Sequence, residues 1–95
     1  MVVFRRLLGD VLRARRMQRG MTLREVSAEA RVSLGYISEI ERGQKEASSE
    51  LLASLCAALD VPLSEVLQDV SSLVAVEEAT SIEAAAGPEV VASAA

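Results

Sequence analysis

Between residues 22 and 45 the chain concentrates hydroxyl, carboxylate, amide and guanidinium side chains at helical spacing. Thr22 stands three residues before Glu25, and Ser33 heads a second run, Leu34-Gly35-Tyr36-Ile37-Ser38-Glu39-Ile40-Glu41-Arg42-Gly43. With Ile37 and Ile40 facing inward, Gly35, Tyr36, Ser38, Glu39 and Arg42 face outward, and Ser33 and Leu34 sit at the tip. A rod of such groups fits the major groove of double-stranded DNA, where side chains near its N-terminus reach base edges. Glu39 can accept a hydrogen bond from cytosine N4, and Tyr36 can reach a phosphate or a thymine methyl. Thr22 and Ser33 offer hydroxyls and free helix N-terminal N–H groups where phosphates bind favourably. Arg42, Gln44 and Lys45, just past the run, are candidate clamps on the DNA backbone. Gly35 costs about 1 kcal/mol of helix propensity relative to Ala, a cost consistent with close backbone approach to a surface. The alternative for the same residues is a plain solvated helix face.

Composition removes other chemistry. The 95 residues include no His and one Cys, Cys56. A zinc site, Ser-His-Asp or Cys-His catalysis and an internal disulfide are therefore excluded. No metal, cofactor or enzymatic activity is expected. Half of the chain is hydrophobic (51%), with Phe4 and Tyr36 its aromatics, so one small aliphatic domain is expected.

Apolar periodicity predicts five helices. The first carries Phe4, Leu7, Leu8, Val11 and Leu12 and stops at Gly20. The second follows Thr22, whose spacing to Glu25 is that of a capping box, and carries Leu23, Val26, Ser27 and Ala30. The third runs from Ser33 to Gly43. The fourth follows Ser48 or Ser49 with Leu51, Leu52, Leu55, Cys56 and Leu59, where Cys56 reads as a core residue. The fifth starts near Pro62 and carries Leu63, Val66, Leu67 and Val70. Only about three residues separate the second and third helices, so the two must cross steeply, as in a helix-turn-helix.

Two charges sit where apolar residues belong. Arg16 continues the Leu8-Leu12 row of the first helix, and Glu41 follows Ile37 by one turn on the third. A buried unpaired charge costs several kcal/mol, so Arg16 and Glu41 are expected to pair and to position the third helix.

Charge divides the chain. All ten basic residues lie within residues 1–46, which carry net +4, while residues 47–95 carry −8. The first part suits an anionic partner, and the acidic part is expected to be held off it. Residues 1–70 form the expected DNA-binding domain, 71–80 a dimerisation extension, and 81–95 a flexible acidic, Ala-rich tail. Val66, Val70, Leu73 and Val74 exceed what a five-helix core needs and are the dimer candidates; the alternative is that they cap the same core. No apolar run approaches the length of a membrane span, and a cytoplasmic protein is expected.

From about Gly9 to Val70 the chain resembles the Xre/Cro-type helix-turn-helix repressors, sharing Arg16 four residues before Gly20 and Ile40-Glu41-Arg42-Gly43. This implies the all-α, five-helix lambda-repressor/Cro-like fold with a C-terminal helical extension. Thr22-Leu23-Arg24-Glu25-Val26-Ser27, Arg31-Val32-Ser33-Leu34-Gly35-Tyr36 and the stretch from Arg42 to Leu52 are similar to the actinobacterial Clp protease gene regulators (ClgR type). That resemblance implies a dimeric regulator, generally an activator, of genes for Clp proteases and other proteolysis or stress functions. It places DNA contacts at Thr22, Ser33 and the outer face of the third helix. Many Xre/Cro relatives carry Gln at the position of Leu23 and polar residues at Leu34 and Gly35. Glutamine-to-adenine readout is absent here, and base readout falls to Tyr36, Ser38, Glu39 and Arg24.

The C-terminal Ala94-Ala95 resembles the tails that mark bacterial proteins for Clp-type proteases, which would make the regulator a substrate of what it induces. The expected partners are therefore double-stranded DNA, a second copy of the chain and a Clp protease, with no membrane. Two rival functions remain: an antitoxin whose tail binds a toxin, and a protein-interaction module without DNA binding.

Overall fold

Serine and threonine hydroxyls start three of the five helices. The computed structural model describes the backbone of residues 3–94 and the side chains of residues 3–80. It comprises α1 (Phe4–Gln18), α2 (Leu23–Ala30), α3 (Leu34–Glu41), α4 (Ser49–Ala58) and α5 (Leu63–Ala94). The Thr22 hydroxyl accepts from the Glu25 N–H at 3.1 Å, and the Glu25 carboxylate accepts from the Thr22 N–H at 2.9 Å, completing a capping box on α2. Ser33 caps α3 and Ser48 caps α4, each accepting from the N–H three residues on. Such a cap stabilises by about 1 kcal/mol. The α2–α3 turn is tightened by Arg31 in the left-handed region (φ 57°), where a residue with a side chain is uncommon.

The core takes Leu7, Leu8, Val11 and Leu12 from α1, Val26 from α2, Ile37 and Ile40 from α3, and Leu55 and Cys56 from α4. Ala58, Leu59, Val61, Val66 and Val70 complete it. Burial of each large aliphatic side chain stabilises by roughly 1.5–3 kcal/mol. Burial also pushes the Cys56 thiol above its ordinary pKa, which suits a packing residue rather than a reactive thiolate.

Several apolar residues lie elsewhere than their spacing suggests. Phe4 is exposed, so the α1 stripe begins at Leu7. Leu63 and Leu67 are also exposed, whereas Val66 and Val70 are 0% and 2% accessible. Val66 and Val70 are thus core residues of the monomer and are not free to meet a second copy. Leu73 remains exposed, and Val74 is half-buried against the core. Residues 71–80 continue α5 without forming a sixth helix. The expected flexible tail, with Ala94 and Ala95, lies outside the described side chains.

Among the described residues, three acidic side chains of α5 pair with the basic half. On α5, Asp69 and Glu65 pair with Arg15 of α1 at 2.8 and 3.3 Å, and Glu77 pairs with Arg6. α1 and α5 lie side by side over the core, so opposite charges flank their apolar seam.

Candidate nucleic-acid interface

α3 is fixed from behind by α1. Gly9 is buried at the crossing, where a Cβ would stand 2.4 Å from the Ile40 carbonyl oxygen and 2.7 Å from that of Glu41. Only a glycine lets the two backbones come this close. About two turns further along α1, Arg16 Nε donates to Glu41 Oε2 at 2.7 Å and its Nη2 to Oε1 at 2.9 Å. A third bond runs from Arg16 Nη1 to the Met21 carbonyl at 2.9 Å, tying in the approach to α2. The two side chains are only 11% and 8% exposed. Hydrogen bonding to Glu41 raises the Arg16 pKa further, so the guanidinium stays charged.

The end of α3 is gripped as well. Gly43 (φ +74°) lies so close to α1 that a Cβ there would meet Arg6 Cα at 2.9 Å. Arg5 Nε donates to the Gly43 carbonyl at 3.0 Å. Gly9 and Arg5 were not among the residues singled out from sequence. Their one advance signal was a glycine interrupting an otherwise regular apolar helix, which often marks a close backbone approach.

With its inner side held, α3 turns the other side outward. Ser33, Leu34 and Gly35 are exposed at its tip, and a Cβ on Gly35 would meet nothing within 4 Å. Ser38 and Glu39 are half-buried along its flank. Ser38 Oγ accepts from Arg42 Nη1 at 2.8 Å, while Arg42 Nη2 reaches Gln44 Oε1 at 3.3 Å. The Arg42 guanidinium is thus oriented by neutral acceptors that leave its charge uncompensated. Lys45 and Gln44 are exposed just beyond.

Tyr36 departs from the reading as a free reader. Its ring packs against the core, and its hydroxyl donates to the Glu46 carbonyl at 3.1 Å. It therefore holds the loop after α3, keeping Gln44 and Lys45 beside the outer face. Thr22 departs in part too: its N–H is taken by Glu25, whose carboxyl is held below its ordinary range by that backbone bond. Arg24 is exposed at the first turn of α2, and Leu23 is half-buried against the core, so Leu23 can offer its backbone but little side chain.

A short outward helix, joined by a tight turn to one whose N-terminus opens on the same side, defines a helix-turn-helix protein. The helix-turn-helix family pattern matches residues 12–66, and the chain belongs to that family, in its Xre-type branch. It is 62% identical over 74 residues to the transcriptional regulator ClgR of Mycobacterium tuberculosis, covering 78% of this chain. The match spans 66% of that relative's length. The crystal structure of the clp gene regulator ClgR from Corynebacterium glutamicum superposes with a TM-score of 0.79 at 43% identity, covering 88% of this chain and 95% of that one. A restriction-modification controller protein, in a tetramer on its natural 35-base-pair operator, shares the fold with a TM-score of 0.65 at 19% identity, covering 74% of this chain and 97% of its own. Among the described residues, no helix is long and apolar enough to cross a membrane.

Proposed function

We propose that the chain is a cytoplasmic, DNA-binding transcriptional regulator of the ClgR type, acting as a homodimer on a two-fold symmetric operator. Its targets are genes for Clp proteases and related proteolysis or stress functions, which it activates. The observation that carries this reading is α3 clamped on its inner side by Gly9 and the Arg16–Glu41 pair while its outer face stays open. Ser38, Glu39, Arg24 and the exposed tip at Leu34 and Gly35 face base edges. Thr22, Ser33, Arg42, Gln44 and Lys45 hold the DNA backbone, and Tyr36 orients the loop that carries the last two. The C-terminal Ala94-Ala95 is the handle for a Clp protease.

Dimerisation uses the apolar side chains that α5 leaves exposed. Leu63 and Leu67 lie one turn apart on one flank, and Leu73 lies on the other. The test is selection from a random-sequence duplex library at physiological salt. Enrichment of a two-fold symmetric site with half-sites about one helical turn apart is expected. Retention without a shared motif leaves only electrostatic binding. No retention at all overturns the reading in favour of a protein partner for α3.

A further inference from the structure

Beside the α1–α3 crossing lies an open groove of about 550 Å³, lined in part by the Arg16–Glu41 and Ser38–Arg42 contacts. Its walls carry Arg6, Asp10 and Arg13 from α1 and Arg42 from the end of α3, and Leu23 and Ser38 border it. Those two border residues make the groove continuous with the first turn of α2 and the outer flank of α3.

The charges in the groove do not cancel. Arg16 and Glu41, which also line it, neutralise one another. Arg6 is drawn to Glu77, with Asp10 at 3.7 Å. Among the described residues, Arg42 meets only the neutral oxygens of Ser38 and Gln44. Arg13 is exposed and makes no ion pair or side-chain hydrogen bond with any described residue. Summed over these groups the groove keeps a net positive charge, and Arg13 and Arg42 are its guanidinium groups without an ion-pair partner among the described residues.

We infer that this groove is an additional phosphate site, in which Arg13 and Arg42, the latter oriented by Ser38, take one phosphate of the DNA backbone in each half-site. The inference rests on the DNA-binding reading and adds Arg13, on the helix behind the recognition helix, to the interface. A planar guanidinium on each wall matches phosphate geometry. The site carries no sequence information. It fixes how far α3 rolls in the groove, because a phosphate held by both α1 and α3 pins the two to the same strand.

The test uses a duplex retained by the full chain and an Arg13→Gln variant, which keeps its fold because Arg13 is exposed. Binding of the variant is expected to weaken about tenfold on every sequence that binds. The slope of log affinity against log salt is expected to fall by about 1 for each protomer bound. A scan with single neutral methylphosphonates then localises the contact. One position per half-site should cost the parent affinity and cost the variant nothing further. Unchanged affinity and slope overturn the site while leaving DNA binding intact. A loss with no methylphosphonate position coupled to Arg13 overturns it as well, since that is the signature of distant charge alone. A parent that binds no duplex defeats the functional reading itself. Binding of inorganic phosphate to the free chain that is lost in the variant, with duplex affinity the same in both, assigns the groove to free phosphate instead of DNA.

Discussion

Replacing Glu41 by Ala isolates the pair that seats the recognition helix. In the parent, the Arg16 guanidinium makes two bonds to the carboxylate, at 2.7 and 2.9 Å, and one to the Met21 carbonyl at 2.9 Å. The substitution leaves a cation that is only 11% exposed with the single carbonyl as partner. Removing one member of a buried pair costs about 3–5 kcal/mol, and the surviving carbonyl bond puts Glu41→Ala at the lower end, about 3 kcal/mol. For a chain of this size that lowers the melting temperature by roughly 12–24 °C. Urea unfolding followed by circular dichroism measures the loss directly. The double variant Arg16→Met/Glu41→Leu removes both charges and should recover most of it, since apolar replacement of a buried pair is often neutral or stabilising. A Glu41→Ala chain within 1 kcal/mol of the parent would refute the argument, because it would mean that water already solvates the guanidinium.

Gly9→Ala should destabilise by about 1–3 kcal/mol despite its better helix propensity, because the methyl meets the carbonyls of Ile40 and Glu41. Gly35→Ala, with nothing within 4 Å, should stabilise by up to about 1 kcal/mol in the same melts and weaken duplex binding if the backbone there approaches DNA. Glu25 gives a pH dependence. Its folded pKa lies below the ordinary 4.5, so its contribution to stability is complete above that value and fades as pH falls through the depressed one. Glu25→Gln keeps a capping side chain and should flatten the melting temperature between pH 5 and 3, on the order of the carboxylate range. Leu67→Glu, at an exposed position on α5, should turn a sedimenting dimer into a monomer and lower the melt only by the stabilisation that dimerisation supplied. In cells, Ala94-Ala95→Asp-Asp should lengthen the half-life of the chain, and an unchanged half-life removes the protease handle.

Local signals were the legible part of the fold. Thr22 with Glu25, and Ser33 and Ser48 before apolar runs, are satisfied within four residues, so the caps could be placed without knowledge of the tertiary structure. The Leu8-Leu12-Arg16 row worked for a related reason: a charge on an apolar stripe implies a partner, and Glu41 broke its own stripe in the same way. What escaped depended on neighbours distant in sequence. Helical spacing places Leu63, Val66, Leu67 and Val70 on one broad face, but α1 and α4 cover only part of it, burying the valines and leaving the leucines out. The engagement of the Tyr36 hydroxyl by Glu46 required a loop whose path has no periodicity. The pairing of Arg15 with Asp69 and of Arg6 with Glu77 spans more than fifty residues, and regional net charge says nothing about which faces meet.

The placement of α1 between α3 and α5 has a metrical consequence. Gly9 and Arg16 bind it to the recognition helix, while Arg15 and Arg6 bind it to α5, and no flexible segment intervenes. In a dimer built on α5, the separation of the two recognition helices is then a sum of helix packing distances, each about 8–10 Å and hard to stretch. An extra base pair between half-sites shifts them by about 3.4 Å and turns them by about 35°, a displacement such a frame cannot follow. The protein is then a caliper as much as a reader: the gap between half-sites is part of the message, and an operator with perfect bases at the wrong pitch goes unrecognised.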